Sequence, residues 1–139
     1  MATTPHIVLL DNDRFYHAVL RAMLTRYQDE LSTYHIDELR FTSFLHTSDL
    51  EHNFHQKMDV LILNYFLDEG KTCQPLMRNL LREQPECRIV VISGHMSLRT
   101  AISPILMGAD DFILKDNHFT SNLQTYLDVQ LRSGFQNAS

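Results

Sequence analysis

Four short stretches of this chain end in residues able to handle a phosphoryl group or a divalent cation. Asp11, Asn12 and Asp13 follow the run HIVLL, Asn64 closes VLILN, Ser93 closes RIVVIS and Lys115 closes DFILK. Carboxylates such as Asp11 and Asp13 offer hard anionic oxygens to a metal. A lysine brings a compact positive charge to phosphoryl oxygens, and a serine hydroxyl can donate to one. In an α/β protein the residue just past the carboxyl end of a buried strand is where chemistry is usually placed. Position 64 holds an amide there. An aspartate would be an anionic nucleophile able to form an acyl phosphate, whereas an amide oxygen is neutral and a poor nucleophile.

Other reactive residue types carry less. Cys73 and Cys87 show no metal-ligand spacing and suit reduced thiols in a cytosol. Among eight histidines, His52 and His55 are three apart and could share a helix face, but no third ligand stands nearby, so a solvated face is the reading. With 139 residues, 44% apolar and 21% charged, the composition is that of a globular chain with one core. The formal charge of −5 argues against a nucleic-acid partner, which calls for a basic face. Basic residues look scattered, and Arg78 with Arg82 is the nearest thing to a patch. No apolar run approaches the roughly 18 residues of a membrane span. The start MATTPH lacks the basic region of a signal peptide. The expected location is the cytoplasm.

The elements that must position these residues follow from periodicity. HIVLL (6–10), LRFTSF (39–44), VLILN (60–64), RIVVIS (88–93) and DFILK (111–115) read as five strands, the second nearer an edge. Helical spacing runs from Arg14 to about Tyr27, with Phe15, Val19, Ala22 and Met23 as the apolar positions and Asp13 as N-cap. Residues 29–37 read equally as a last helical turn or a loop. Thr47 or Ser48 could cap a short helix reaching His55. Further helices are expected over Thr72–Glu83, stopped by Pro85, over Leu98–Met107, stopped by Gly108 with Pro104 inside, and from Phe119 to about Leu131. SGFQNAS reads as a frayed tail.

Strand and helix alternating five times imply a flavodoxin-like, doubly wound α/β fold: a five-stranded parallel sheet in the order 2-1-3-4-5, with helices on both faces. Residues 1–139 are expected to form one domain, with its core over about 5–132 and 133–139 a tail or the start of a linker. The carboxyl ends of the first and third strands would then flank the switch point, gathering Asp11, Asn12, Asp13 and Asn64, with Ser93 and Lys115 approaching from the other side.

That constellation resembles the receiver domain of bacterial two-component response regulators, over roughly residues 5–132. GADDFILK (108–115), VVISG (90–94), IVLLDND (7–13) and DVLILNYFLDEG (59–70) occur in the family's order and at its distances. The resemblance implies that Asp11 matches the acidic residue orienting metal-bound water and Asn12 the one ligating Mg²⁺. Asn64 falls on the phosphoacceptor aspartate. Ser93 and Lys115 match the hydroxyl and lysine that meet the phosphoryl group, and Phe112 the aromatic whose rotamer accompanies switching.

Two departures, Asn12 and Asn64, remove charge where a cation needs it. Expected Mg²⁺ binding is therefore weak or absent, with no other cofactor and no catalytic residue, and the site reads as degenerate. A permanent Lys115–Asp11 ion pair, bridged through Asn64, is expected to hold the pocket closed, with Phe112 as plain core. The function implied is a phosphorylation-independent, non-enzymatic signalling module. It would recognise a protein (a kinase, an output domain or another signalling protein) or a second copy of itself. The face would be that of the fourth helix, fifth strand and fifth helix, drawing on Leu98, Thr100, Ile105, Phe112 and residues 116–127. One alternative is an ordinary phosphorylatable receiver carrying an engineered Asp-to-Asn change at Asn64. A more distant one is a Mg²⁺-dependent aspartyl-phosphate phosphatase, with Asp11 as nucleophile, Asp13 as acid/base and Asp110 and Asp111 as metal ligands. Its motif order does not fit, since Lys115 follows the acidic pair.

Overall fold

Runs of branched apolar residues make the five strands of this computed structural model, which describes residues 4–34, 36, 38–95 and 97–136. The strands are β1 (His6–Leu10), β2 (Arg40–Phe44), β3 (Val60–Asn64), β4 (Arg88–Ser93) and β5 (Asp111–Leu114). All pair in parallel, in the order β2-β1-β3-β4-β5. The flavodoxin-like arrangement expected from the alternation is the one found. Strands β1 and β3 are buried along their whole length and β4 all but its first residue, while the edge strands β2 and β5 are partly exposed, as a sheet covered on both faces requires.

Side chains alternate between the faces with a period of two. Ile7, Leu9, Val60, Ile62, Val90, Ile92 and Ile113 pack on one side with α1 (Arg14–Leu31) and α5 (Phe119–Gln136). Val8, Leu10, Leu61, Leu63, Ile89 and Val91 face the other, toward α2 (Thr47–Glu51) and α3 (Cys73–Glu83). The remaining helix, α4, runs over Leu98–Leu106, and a turn at Met107 and Gly108 follows it. Gly108 has φ +114, a backbone conformation that calls for glycine.

Several local expectations shift. Helix α1 runs on to Leu31, and Ser32–Tyr34 forms a 3₁₀ turn. Burial of Leu31 and Ile36 in the first core explains the extension. The buried stripe of α1 is Leu20, Met23, Leu24 and Tyr27, with Tyr16 and Val19 half-buried against it; Phe15 and Ala22 point outward. Helix α2 stops at Glu51, and its N-cap is His46. The cap comes from elsewhere in the chain: Thr47 N–H and Oγ both donate to Asp68 Oδ1, at 3.1 and 2.6 Å. Those bonds hold the Asp68 carboxyl below its usual value. Helix α5 continues to Gln136, past the expected fraying point; residues 137–139 lie outside the described residues. Cys73 and Cys87 are free and buried, and burial pushes both thiols up to about 12, which leaves little thiolate to react.

Two side chains fasten the amino-terminal end of the sheet. Gln84 donates to Phe54 O and Gln56 O at 2.8 and 2.6 Å and accepts from Met58 N–H at 2.8 Å, tying down the segment that leads into β3. His6 is buried, with Nδ1 2.9 Å from Lys57 O and Nε2 2.8 Å from Thr42 Oγ1. A carbonyl only accepts, so Nδ1 carries the proton, and the neutral ring then accepts from the Thr42 hydroxyl. Burial lowers its pKa below the ordinary 6.5. The unfolded chain therefore takes up this proton more readily than the folded one. Stability should rise with pH through the window from the lowered folded value to 6.5 and level off above, with a slope of at most about 1.4 kcal/mol per pH unit from this residue. Urea unfolding of His6→Gln across that range should show a flatter profile than the parent; identical profiles would contradict the assignment.

Candidate functional site

The parity of the strands explains which of the predicted residues meet. Leu10 is paired with Leu63, so Asp11 and Asn64 lie side by side one position further on. Both continue the alternation of the face covered by α1 and α5, as does Lys115, two residues after Ile113. Lys115 is brought level by β5, where Leu114 pairs with Ser93 and Lys115 N–H donates to Ser93 O at 2.8 Å. Ser93, one residue after inward-facing Ile92, falls on the opposite parity.

Asp11 and Lys115 form the expected ion pair. Lys115 Nζ lies 2.7 Å from Asp11 Oδ2, with the two side chains 8% and 0% exposed. The other carboxylate oxygen, Oδ1, accepts from Asp13 N–H at 2.9 Å, while Oδ2 is buried and has no conventional hydrogen-bond donor besides the ammonium. The lysine has a second contact that the sequence reading missed. Its Nζ sits 4.0 Å from the centroid of the Tyr16 ring, a cation–π contact worth about 0.5–2 kcal/mol. Tyr16 is held edge-on between Phe15 and Phe119, at 5.2 and 5.3 Å. Burial, then the charges of Asp11 and Asp13, raise its phenol above the ordinary value, so it remains a neutral ring. Helical phase was the signal for it. Placing 16, 20, 23, 24, 27 and 31 on one stripe puts Tyr16, not Phe15, over the strand ends.

Asn64 does not bridge the pair, contrary to expectation. Its Nδ2 donates to Phe66 O at 2.6 Å, closing a turn within its own loop. Phe66 O can only accept, so this contact requires an N–H, which the amide has and an ionised carboxylate lacks. The loop is secured further on: Tyr65 N–H donates to Ile92 O, Leu67 N–H to Lys71 O, and Phe66 is bridged to Thr72. Glu69 takes φ +59 and Gly70 φ +70 to turn it.

The remaining predicted residues have ordinary structural contacts. Asp13 caps α1 by accepting from Phe15 N–H at 2.9 Å, and Asn12 is exposed. The buried Ser93 hydroxyl accepts from His95 N–H at 3.0 Å. Phe112 is half-buried against the second core. Asp110 and Asp111 stand at the start of β5, where Asp111 pairs with Val90, at the opposite end of the sheet from Asp11. Asp110 is engaged there by Ile89 N–H and the Tyr126 hydroxyl. The constellation of an aspartyl-phosphate phosphatase is therefore not assembled. Of the expected recognition face, Ile105 on α4 is exposed, and Ile102 and Leu106 on α4 and Val129 on α5, which that expectation did not include, are exposed as well; the side chains of Leu98 and Thr100 lie outside the described residues. Among the described residues no helix is long and apolar enough to cross a membrane.

No protein-family model and no curated protein matches this chain. Solved structures do. The chain is similar to a two-component response regulator from Clostridium difficile, at a TM-score of 0.76 and 17% identity, covering 93% of this chain and 97% of that one. It is similar to a response regulator receiver domain protein from Clostridium thermocellum, at 0.75 and 13%, covering 95% and 98%. A third likeness is to the beryllofluoride-activated NtrC4 receiver domain dimer, at 0.71 and 17%, covering 90% and 98%. At these identities the likeness is one of fold: the chain has the architecture of a receiver domain.

Proposed function

We propose that this receiver fold serves as a signalling module that works without accepting a phosphoryl group. One observation carries the reading. At the end of the third strand an amide, turned onto Phe66 O, stands beside a carboxylate that is neutralised by Lys115. No anionic oxygen is left to attack phosphorus. The donors also suit Mg²⁺ poorly, since a hard cation wants several oxygens, preferably anionic. Asp11 Oδ2 faces an ammonium and Oδ1 accepts a backbone N–H, Asp13 is spent on a helix cap, and positions 12 and 64 are amides. Signalling then rests on protein contact. The face of α4, β5 and α5 is the surface we assign to it, supported by the exposed stripe Ile102, Ile105 and Leu106 at helical spacing. Control would come from a partner or a linked domain that binds one conformation in preference to another.

The competing reading, a phosphorylatable receiver with Asn64 substituted for aspartate, is disfavoured by Asn12, a second lost charge, and by the use made of the Asn64 N–H. Beryllofluoride with Mg²⁺, a phosphoryl mimic, distinguishes the two through backbone amide shifts. Silence is expected from residues 64–68, 93–95 and 105–116. Saturable shifts through α4 and β5 would overturn the proposal.

A further inference from the structure

A groove of about 810 Å³ lies between α1 and the segment that runs from β2 into α2. Its α1 wall carries Arg14, His17 and Arg21. At 100° per residue Arg14 and Arg21 are nearly in phase and His17 is one turn on, so all three share a face. His46 and His52 line the groove as well, together with Phe44. Tertiary structure thus gathers basic groups that are scattered in the sequence. Among the described residues neither guanidinium is paired with a carboxylate, and Arg21 is steadied by stacking at 5.4 Å over Phe41. Asp49 is the one carboxylate of the lining. Asp68 Oδ2 stands 3.7 Å from His46 Nδ1 at the groove's far side, so the cationic part is the α1 wall with its two guanidiniums, in a chain whose formal charge is −5.

We propose that the groove binds a phosphate-bearing small molecule of nucleotide size. Guanidinium forks match phosphate oxygens in geometry as well as charge, and Arg14 and Arg21 would take the phosphates. Ala18, Phe44 and Leu45 supply an apolar surface for a ring. The volume lies within the usual range of small-molecule sites, about 300–1,000 Å³, and inorganic phosphate alone would leave most of it empty. His17 ties the groove to the closed pocket: its Nε2 donates to Asp11 O at 2.6 Å, leaving Nδ1 for a ligand. A ligand held by His17 acts one hydrogen bond from the Asp11–Lys115 pair. The proposal stands independently of whether the chain accepts phosphate.

Titration of the isotope-labelled protein with adenosine diphosphate in metal-free buffer tests it, with adenosine and inorganic pyrophosphate as further probes. Saturable amide shifts at residues 14–21 and 43–53 are expected. Adenosine and pyrophosphate should each bind at least about tenfold more weakly, that is by about 1.4 kcal/mol. Arg14→Ala/Arg21→Ala should weaken the nucleotide by at least about tenfold while the protein stays folded with at most a small drop in melting temperature, these being exposed side chains of which Arg21 loses its stacking on Phe41. No saturable shift at millimolar nucleotide, shifts centred on Ser93 and Lys115 instead, or a double variant that binds like the parent would each overturn the proposal. Pyrophosphate binding as tightly as the nucleotide would remove the ring from it.

Discussion

Lys115→Ala should destabilise the protein by about 3–5 kcal/mol, the cost of stranding one member of a buried ion pair. Asp11 is fully buried, and its Oδ2 has the ammonium as its partner. Without the lysine, that buried oxygen is left without a partner, and the Tyr16 ring loses the cation it covers. Set against a typical domain stability of about 5–15 kcal/mol, the loss should be plain in a denaturant curve as an earlier midpoint at unchanged slope. The accompanying double variant, Asp11→Asn/Lys115→Met, removes both charges and retains most of the volume. Buried pairs replaced by neutral groups of similar size often cost little, so most of the loss should be recovered. A Lys115→Ala protein that unfolds at the parental midpoint would show that the pair contributes nothing to holding the pocket.

The second large effect is a gain. Asn12→Asp/Asn64→Asp should accept one phosphate from acetyl phosphate in a Mg²⁺-dependent, hydroxylamine-labile form, whereas the parent should gain none. Asn12 is exposed at the loop beside Asp11, and Asn64 neighbours Asp11 across the β1–β3 pairing. Carboxylates at both positions would give a cation three anionic donors around one place, with Lys115 already level with them on β5. Asn64→Asp alone should gain little. It supplies the nucleophile without the metal's charge, and it exchanges the N–H that meets Phe66 O for an oxygen facing that carbonyl. Intact mass with and without Mg²⁺ reads the result. A parent protein that gains a phosphate would end the phosphorylation-independent reading, and an inert double variant would place the block somewhere other than the missing charges.

The comparison between sequence and structure divides along a physical line. Strand order, the parallel sheet and the placing of Asp11, Asn64, Ser93 and Lys115 at strand ends were all legible in the sequence. They follow from the period of apolar residues and from right-handed crossovers, which depend on local patterning. The Lys115–Asp11 pair was expected as well, although β3 and β4 stand between their strands: shared parity at the strand ends turns both side chains to one face, and the long lysine reaches across. Other features were decided only by packing in three dimensions. Leu31 and Ile36 carried the end of α1 into the core where local propensity was indifferent, and the cap of α2 came from Asp68, 21 residues away. A one-residue error in helical phase hid Tyr16, since a turn of 100° separates a solvent-facing Phe15 from a ring over the lysine. Asn64 was expected to bridge the ion pair, and the path of the chain through Phe66 instead turned its amide onto its own loop. The basic groove was invisible for the same reason. Arg14 and Arg21 share a helix face by periodicity, but His46 and His52 join them only once β2 is laid beside β1, a distance in space that no spacing along the chain records.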